Sequence, residues 1–301
     1  MRVFLTGATG FIGSRILPEL LAAGHQVLGL TRSDAGARAL SVAGAEPHRG
    51  TLEDLDSLRA GAERADAVIH TAFDHEFSNF VANCEKDRRV VTALGSVLQG
   101  SDRPLLITSG VAIGDPGTGQ PAMESVFNTD HPIPRIASEE AGNALLDKGV
   151  DVRVVRLPQV HDPVKQGLVS PLIENAREKG FVGYIGEGAN RWSAAHVLDV
   201  AKLYALALDR GQKGARYHAV AEEGVAMREI AEAVAQGLGL PTKSLAAADA
   251  PAYFGWLAIF AGLDMRASSA WTRDQLGWQP TGPGLIADLQ AMRYALPTAT
   301  A

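Results

Sequence analysis

The chain has 301 residues, 46% hydrophobic and 21% charged, with 32 glycines and 15 prolines, a globular balance that excludes a disordered, collagen-like or coiled-coil chain. That is about twice the ~150 residues of an average domain, which fits one large α/β domain or one and a half lobes better than two independent domains. Its 28 Lys and Arg against 34 Asp and Glu leave a net charge of −6 with no block of like charges, which argues against a nucleic-acid or anionic-membrane partner. The single cysteine, Cys84, can close no intramolecular disulfide and build no cysteine-based metal site, so a reducing, cytoplasmic setting is expected. No signal peptide is expected ahead of the first strand. The longest weakly polar run, Pro251 to Leu263, is 13 residues against the ~20 a spanning helix needs.

Val3-Phe4-Leu5 is a short apolar run that stops at Gly7, and Ile12, Ile16, Leu17, Leu20 and Leu21 follow at helical spacing up to Gly24. This predicts strand, loop and helix. Gln26 to Leu30 reads as a second strand, Asp34 to Val42 as a helix, and the residues near Ala45-Glu46-Pro47 as a third strand. Ala67 to His70 is a fourth strand, Phe77 to Leu98 a long helix, and Pro104 to Thr108 a fifth strand. A Gly- and Pro-rich loop from Gly110 to Pro134 leads to a helix over Ile136 to Lys148 and a sixth strand over Val152 to Leu157. Strands apolar nearly throughout, separated by helices, indicate a parallel sheet covered on both faces.

The alternation then breaks at Pro163, Pro171 and several glycines. Val197 to Leu208 reads as a helix, Arg216 to Val220 as a seventh strand, Met227 to Leu238 as a helix and Ala252 to Ala261 as an aromatic-bearing one. The expected fold class is α/β: a Rossmann-type doubly wound parallel sheet over residues 1–157 plus about 195–222, with a smaller substrate-binding lobe from about 158–194 plus 223–301.

Gly7, Gly10 and Gly13 sit where the first strand ends and the first helix opens. Gly7 permits the tight turn, Gly10 lets the backbone approach a pyrophosphate, and Gly13 lets the helix pack on the sheet. Thr9, Phe11 and Ile12 complete this loop, and the helix N-terminus offers free N–H groups to phosphate. In a βαβ context this is a dinucleotide site. The second strand ends Thr31-Arg32-Ser33. An acidic residue there would suit the ribose of NAD, whereas the Arg32 guanidinium suits a 2′-phosphate, so the expected cofactor is NADP(H). The plainer alternative leaves Arg32 in solvent and gives the ribose to Asp34.

The glycine loop, Val68-Ile69-His70-Thr71-Ala72, Ile107-Thr108-Ser109-Gly110, Val155-Arg156-Leu157-Pro158-Gln159-Val160 and His196-Val197-Leu198-Asp199-Val200-Ala201, taken in order, resemble the extended short-chain dehydrogenase/reductases of the epimerase/dehydratase-like group. The resemblance assigns the rest of the cofactor to Ser33, Thr51, Leu52, Thr71, Ala72, Phe73, Thr108, Pro158 and Val160. It also implies a homodimer through the helices over Phe77 to Leu98 and Ile136 to Lys148. In that family a serine after the fifth strand works with Tyr-x-x-x-Lys on the next helix. Ser109 matches the serine, but Arg135 stands in the tyrosine position and Glu139 in the lysine position, so the chain resembles an atypical member.

Arginine does not titrate near neutrality, so Arg135 can anchor an anion or stabilise an oxyanion but cannot deliver a proton. Arg135 and Glu139 lie one helical turn apart, and a plain i,i+4 salt bridge explains them equally well. Ser109 can donate to a carbonyl or imine, or simply cap the strand end. His161, directly after the turn that in this family lines the nicotinamide pocket, is the proposed proton donor, with a structural histidine as its alternative. Asp74, His75, Gly110, Trp192, His196, Tyr253 and Trp256 are the expected substrate contacts. Asp74 serves equally well as a helix cap, and Tyr253, Trp256, Leu257 and Phe260 as one face of a core helix.

The expected function is an NADPH-dependent reductase for a C=N or C=O group on a mainly apolar small molecule. A protonated imine suffers least from the missing acid, which puts an activated imine ahead of an unactivated ketone. The alternatives are a non-catalytic NADP(H)-binding sensor and, disfavoured for want of the tyrosine, a nucleotide-sugar epimerase or dehydratase.

Overall fold

The computed structural model describes residues 1–294. The first half alternates strand and helix: β1 (Arg2–Thr6), α1 (Gly13–Ala22), β2 (Gln26–Thr31), α2 (Asp34–Val42), β3 (Glu46–Arg49), α3 (Leu55–Glu63), β4 (Ala67–His70), α4 (Phe80–Ser96), β5 (Pro104–Gly110), α5 (Ile136–Leu146) and β6 (Asp151–Leu157). Next come β7 (Gln159–His161), α6 (Val169–Lys179), β8 (Val182–Ile185), β9 (Arg191–His196), α7 (Val197–Arg210), β10 (Arg216–His218), β11 (Glu222–Ala226), α8 (Met227–Leu238) and β12 (Thr242–Leu245). The chain closes with α9 (Ala250–Phe254), α10 (Ala258–Ala261), α11 (Ala270–Leu276) and α12 (Leu285–Ala291). Among the described residues no helix is long and apolar enough to cross a membrane.

Seven strands form one parallel sheet in the order β10-β6-β5-β4-β1-β2-β3. This is the doubly wound Rossmann-type order, which reverses direction between β1 and β4 and opens a crevice beyond their C-terminal ends. Period-two alternation builds a core on each face. Val3 and Leu5 pack with Ile16, Leu20, Leu203 and Tyr204, while Phe4 between them packs with Val68, Val90, Leu94 and Leu145 on the other side.

A third core gathers Val169, Leu172 and Ile173 of α6, Trp192 of β9, Ile230 and Val234 of α8, and Leu285 and Leu289 of α12. It is laced by two small sheets, β11-β9-β7 and β12-β8.

Three local departures from the sequence expectations have physical causes. Helix α3 goes unread in the sequence because only Leu58, Gly61 and Ala62 of it are buried, too few to set a period. The long fourth helix opens with a 3-10 turn over Phe77–Asn79 and reaches only Ser96 as α-helix. The single helix expected over Ala252 to Ala261 is broken at Gly255, whose φ of +56° belongs to the left-handed region that glycine favours.

Candidate active site

A cavity of about 880 Å³ lies along the C-terminal edge of the sheet, from the glycine loop at β1 to Trp256 and Phe260. Its first half is a phosphate cradle. The loop is closed by Gly10 N–H donating to Gly7 O at 2.8 Å. A Cβ on Gly13 would fall 2.1 Å from that same carbonyl, and one on Gly7 would fall 2.7 Å from Thr71 Oγ1. Helix α1 starts with no side-chain cap; Ser14 and Arg15 N–H donate to Gly10 O and Ile12 O, which leaves the N–H groups of Phe11, Ile12 and Gly13 for an anion. The residues present fit a dinucleotide: Thr9 to Gly13 would hold its phosphates, and Arg32, Thr51 and Leu52 line the same cavity where a ribose would follow.

Thr71, Ala72, Phe73, Thr108, Pro158 and Val160 also line the cavity. Ser33 is absent from the wall: it caps α2, accepting from Gly36 N at 3.0 Å. Asp34 is turned to solvent and paired with Arg49 at 3.0 Å.

Behind the wall at the middle of the cavity lies a buried polar chain. Ala72 N–H donates to Thr6 Oγ1, and Thr6 Oγ1 lies 2.7 Å from His70 Nδ1. His70 Nε2 lies 2.9 Å from Asp87 Oδ1. The Asp87 carboxylate accepts from Nε2, so in the neutral ring Nδ1 accepts from threonine, and one proton direction runs through the whole chain.

The other oxygen of Asp87 accepts from Arg135 Nη1 at 2.5 Å and from Ser138 Oγ at 2.6 Å. Arg135 Nη1 also donates to Ser138, and Nη2 donates to Thr108 O at 2.9 Å. Burial pushes the Asp87 carboxyl up, but the Arg135 guanidinium and His70 more than offset it and hold it well below the usual carboxylate range. The guanidinium lies 4.2 Å above the Phe73 ring. Fixed at these points, Arg135 keeps its Nε–H and one Nη2–H without a partner among the described residues, and it lines the cavity.

Ser109 is next to Thr108, and its buried hydroxyl makes no hydrogen bond of normal geometry. It sits near enough to Glu139 to help keep that carboxylate ionised, so its proton turns to a ligand only by giving up that weak contact. Gly110, Asp74 and His75 also reach the wall. Asp74 is held ionised by Lys86, which donates to it at 2.7 Å and to Glu53 at 2.8 Å. The pKa of His75 is lowered by desolvation and by the Lys165 and Arg135 cations.

Beyond Arg135 the wall is aromatic. Phe73 meets Phe80 at 6.2 Å, Phe80 meets Phe77 at 5.5 Å and Phe260 at 5.9 Å, and Phe77 stacks on Trp256 at 4.3 Å with the rings 2° from parallel.

Besides Ser33, five more of the expected site residues lie off the cavity wall. Glu139 forms no bridge to Arg135. It accepts from Arg156 Nε and Nη2 at 2.7 and 2.8 Å and from Arg216 Nε at 3.0 Å, inside the fold, because its side chain points to β6 and β10 while Arg135 points to α4. His161 is fully buried with Nδ1 2.7 Å from Asp288 Oδ2, off the cavity wall. Its pKa is lowered, chiefly by desolvation. His196 caps α7 through Leu198 N and sits 3.8 Å from the same Asp288. Trp192 is enclosed in the third core. Tyr253, cut off from Trp256 by the break at Gly255, donates to Phe181 O and accepts from Gly183 N.

Sequence reasoning missed Asp87, Thr6, Ser138, Phe77, Phe80 and Lys165, while Phe260, which it weighed with Trp256 as a roof over the substrate, does line the cavity. Asp87 carries a readable signal: it stands on the α4 face of Cys84, Val90, Val91 and Leu94, and an acid on an apolar stripe needs a buried partner.

The description "NAD dependent epimerase/dehydratase family" matches residues 3–220. An uncharacterized protein of Schizosaccharomyces pombe is 43% identical over 295 residues, covering 98% of this chain and 100% of that one. A 4-hydroxy-2-methyl-3-oxo-4-farnesyl-3,4-dihydroquinoline-1-oxide ketoreductase of Stigmatella aurantiaca is 28% identical over 72% of this chain and 67% of its own. In structure, the Thermus thermophilus UDP-glucose 4-epimerase in complex with NAD superposes with a TM-score of 0.75 at 23% identity, covering 98% of this chain and 99% of that one. The chain therefore belongs to the NAD dependent epimerase/dehydratase family, within the extended short-chain dehydrogenase/reductases.

Proposed function

We propose that the protein is an NADPH-dependent reductase of a carbonyl group on a mainly apolar small molecule. The observation that carries this is the placement of two unpaired donors, the Ser109 hydroxyl and the outer N–H groups of Arg135, between the cofactor cradle and an aromatic wall. When bound, the reduced nicotinamide supplies a hydride, two electrons and one hydrogen, to the carbonyl carbon; the C=O π pair moves to oxygen, and a proton from water completes the alcohol. Ser109 and Arg135 hold the carbonyl oxygen and compensate its growing charge. Donors suit an oxygen acceptor, whereas a fixed guanidinium repels a protonated imine, so these residues favour C=O over C=N. The ketoreductase relative, named for a carbonyl reduction, supports the same choice.

NADP(H) preference rests on Arg32, exposed at the end of β2 with no acidic partner among the described residues. Oxidation of NADPH in a panel of ketones, aldehydes and cyclic imines tests the reading: turnover with carbonyls and none with imines is expected, and Arg32→Glu should reverse the NADPH over NADH order. A cofactor-binding sensor is favoured by one observation, the anchoring of Arg135 by Asp87 with no acid beside it. Tight NADPH binding without turnover of any panel member would select it.

The proposed homodimer would use α4 and α5, which pack on each other and carry a charged outer face through Arg88, paired to Glu85 at 3.0 Å and to Glu140 at 2.5 Å. A monomeric mass in light scattering overturns it.

A further inference from the structure

The wall around the proposed carbonyl site offers donors in excess and protons in short supply. Ser109 follows Thr108, whose carbonyl Arg135 grips, so the Ser109 hydroxyl and the two remaining N–H groups of Arg135 belong to one stretch of the cavity wall. One ketone oxygen has two lone pairs and cannot satisfy three donors well. Near them, Asp74 and Glu53 are both held ionised by Lys86, and His75 is kept from protonating by its surroundings and two cations. None of these three has a proton to give at neutral pH, so an oxyanion formed here must wait for water or for the ammonium of Lys165, which lines the same cavity.

A simple alkoxide is a strong base and waits badly. An alkoxide beside a second carbonyl is a weaker base and needs less help. Outward from this point runs the unbroken set Phe73, Phe80, Phe77 and Trp256, beginning under the guanidinium itself. These four rings are only half-buried and present faces and edges to the cavity.

We propose that the substrate is an aromatic α-dicarbonyl compound, its two adjacent oxygens on Ser109 and Arg135 and its ring on the wall ending at Phe77 and Trp256. The proposal rests on the reductase reading for its turnover and on the cavity alone for its binding. Flat rings gain from offset or edge contacts with aromatic side chains, which a saturated ring of equal carbon count cannot make. The second oxygen takes the donor that a lone ketone would leave unpaired, and an unpaired buried donor costs more than a bond gains.

The test uses four probes with the full chain, matched in carbon count within each phenyl and cyclohexyl pair: methyl phenyl diketone, methyl cyclohexyl diketone, acetophenone and cyclohexyl methyl ketone. With NADPH, the phenyl diketone should exceed acetophenone in kcat/KM by about tenfold or more and its cyclohexyl analogue by about fivefold. Trp256→Leu and Phe77→Leu should each lower the ring preference through KM and leave the diketone preference standing. Binding is read separately by calorimetry on the protein saturated with NADP+, where no reduction occurs. If that titration shows both preferences but no probe is turned over, the reductase reading fails and the pocket assignment stands. Equal affinity for phenyl and cyclohexyl diketones, or for diketone and monoketone, overturns the proposal whatever the turnover.

Discussion

Two arginine-carboxylate clusters share the start of one helix and differ in what they leave unpaired. Arg135 caps α5, and Glu139 lies one turn inside it. Glu139 is enclosed, accepts three charged hydrogen bonds from Arg156 and Arg216, and lowers its own pKa through those cations against its burial. Arg156 completes the closure by donating to Met123 O at 3.3 Å, with His218 Nε2 as close. The Arg135 and Asp87 cluster is as tightly built, yet its guanidinium stands on a cavity wall with N–H groups to offer. Buried ion pairs are weak evidence of stability and no evidence of function by themselves. The donor left over beside a cavity is what separates the two.

The sharpest way to break that contrast is Glu139→Gln. Arg156 is fully buried, and removing its counter-charge should destabilise the fold by roughly 3–5 kcal/mol, read by urea unfolding, while cofactor affinity per folded molecule stays unchanged. A loss of turnover without a loss of stability would make Glu139 part of the site. At Arg135 the expected order inverts. Arg135→Lys keeps a cation for Asp87 but loses the planar set of donors, so stability should hold within about 1 kcal/mol while kcat falls by about 100-fold. Arg135→Met should lose both.

The comparison also shows what the sequence could disclose. The glycine loop, the strand ends and the cofactor-lining residues were readable because their signal is local: three glycines and a handful of strand-end residues fix them. Arg135 and Glu139 were readable as departures from the Tyr-x-x-x-Lys pattern, but their partners were not, since Asp87 is 48 residues before Arg135 and Arg216 is 77 residues after Glu139. A local i,i+4 pair, worth a few tenths of a kcal/mol, loses to such buried contacts. His161 shows the same limit from the other side. Its place after Pro158-Gln159-Val160 suggested the cavity, while its ring is turned to Asp288, 127 residues away. The small lobe was the least legible part, because its core joins α6, β9, α8 and α12 across more than a hundred residues.

A milder probe of the closed cluster is pH. Desolvation, and then the Arg156 cation, depress His218 from 6.5 to about 3. The folded pKa lies below the unfolded one, so as pH falls the unfolded chain takes up the proton first. The contribution to stability is therefore whole above about pH 6.5 and is lost progressively towards pH 3. Desolvation lowers His161 in the same direction. His218→Gln should flatten the fall of the urea midpoint across that window without moving cofactor affinity. An unchanged slope would show that other groups govern the acid limb.

The smallest effect is expected at the donor that makes fewest contacts. Ser109 is 3% exposed, and its hydroxyl is free of any normal hydrogen bond while the enclosed Glu139 network is complete without it. Ser109→Ala therefore removes only a weak contact to a carboxylate already held by two arginines, and stability should stay within about 0.5 kcal/mol. If the hydroxyl donates to the carbonyl oxygen more strongly as charge gathers there, kcat should fall by about tenfold with KM little changed, because the interaction strengthens in the transition state. If it only fixes the bound ketone, KM rises and kcat holds. On a monoketone, where serine and arginine share one oxygen, the two should couple, so the double variant with Arg135→Lys should lose less than the product of the two single losses. On the diketone, with the two donors on different oxygens, the losses should be independent and multiply.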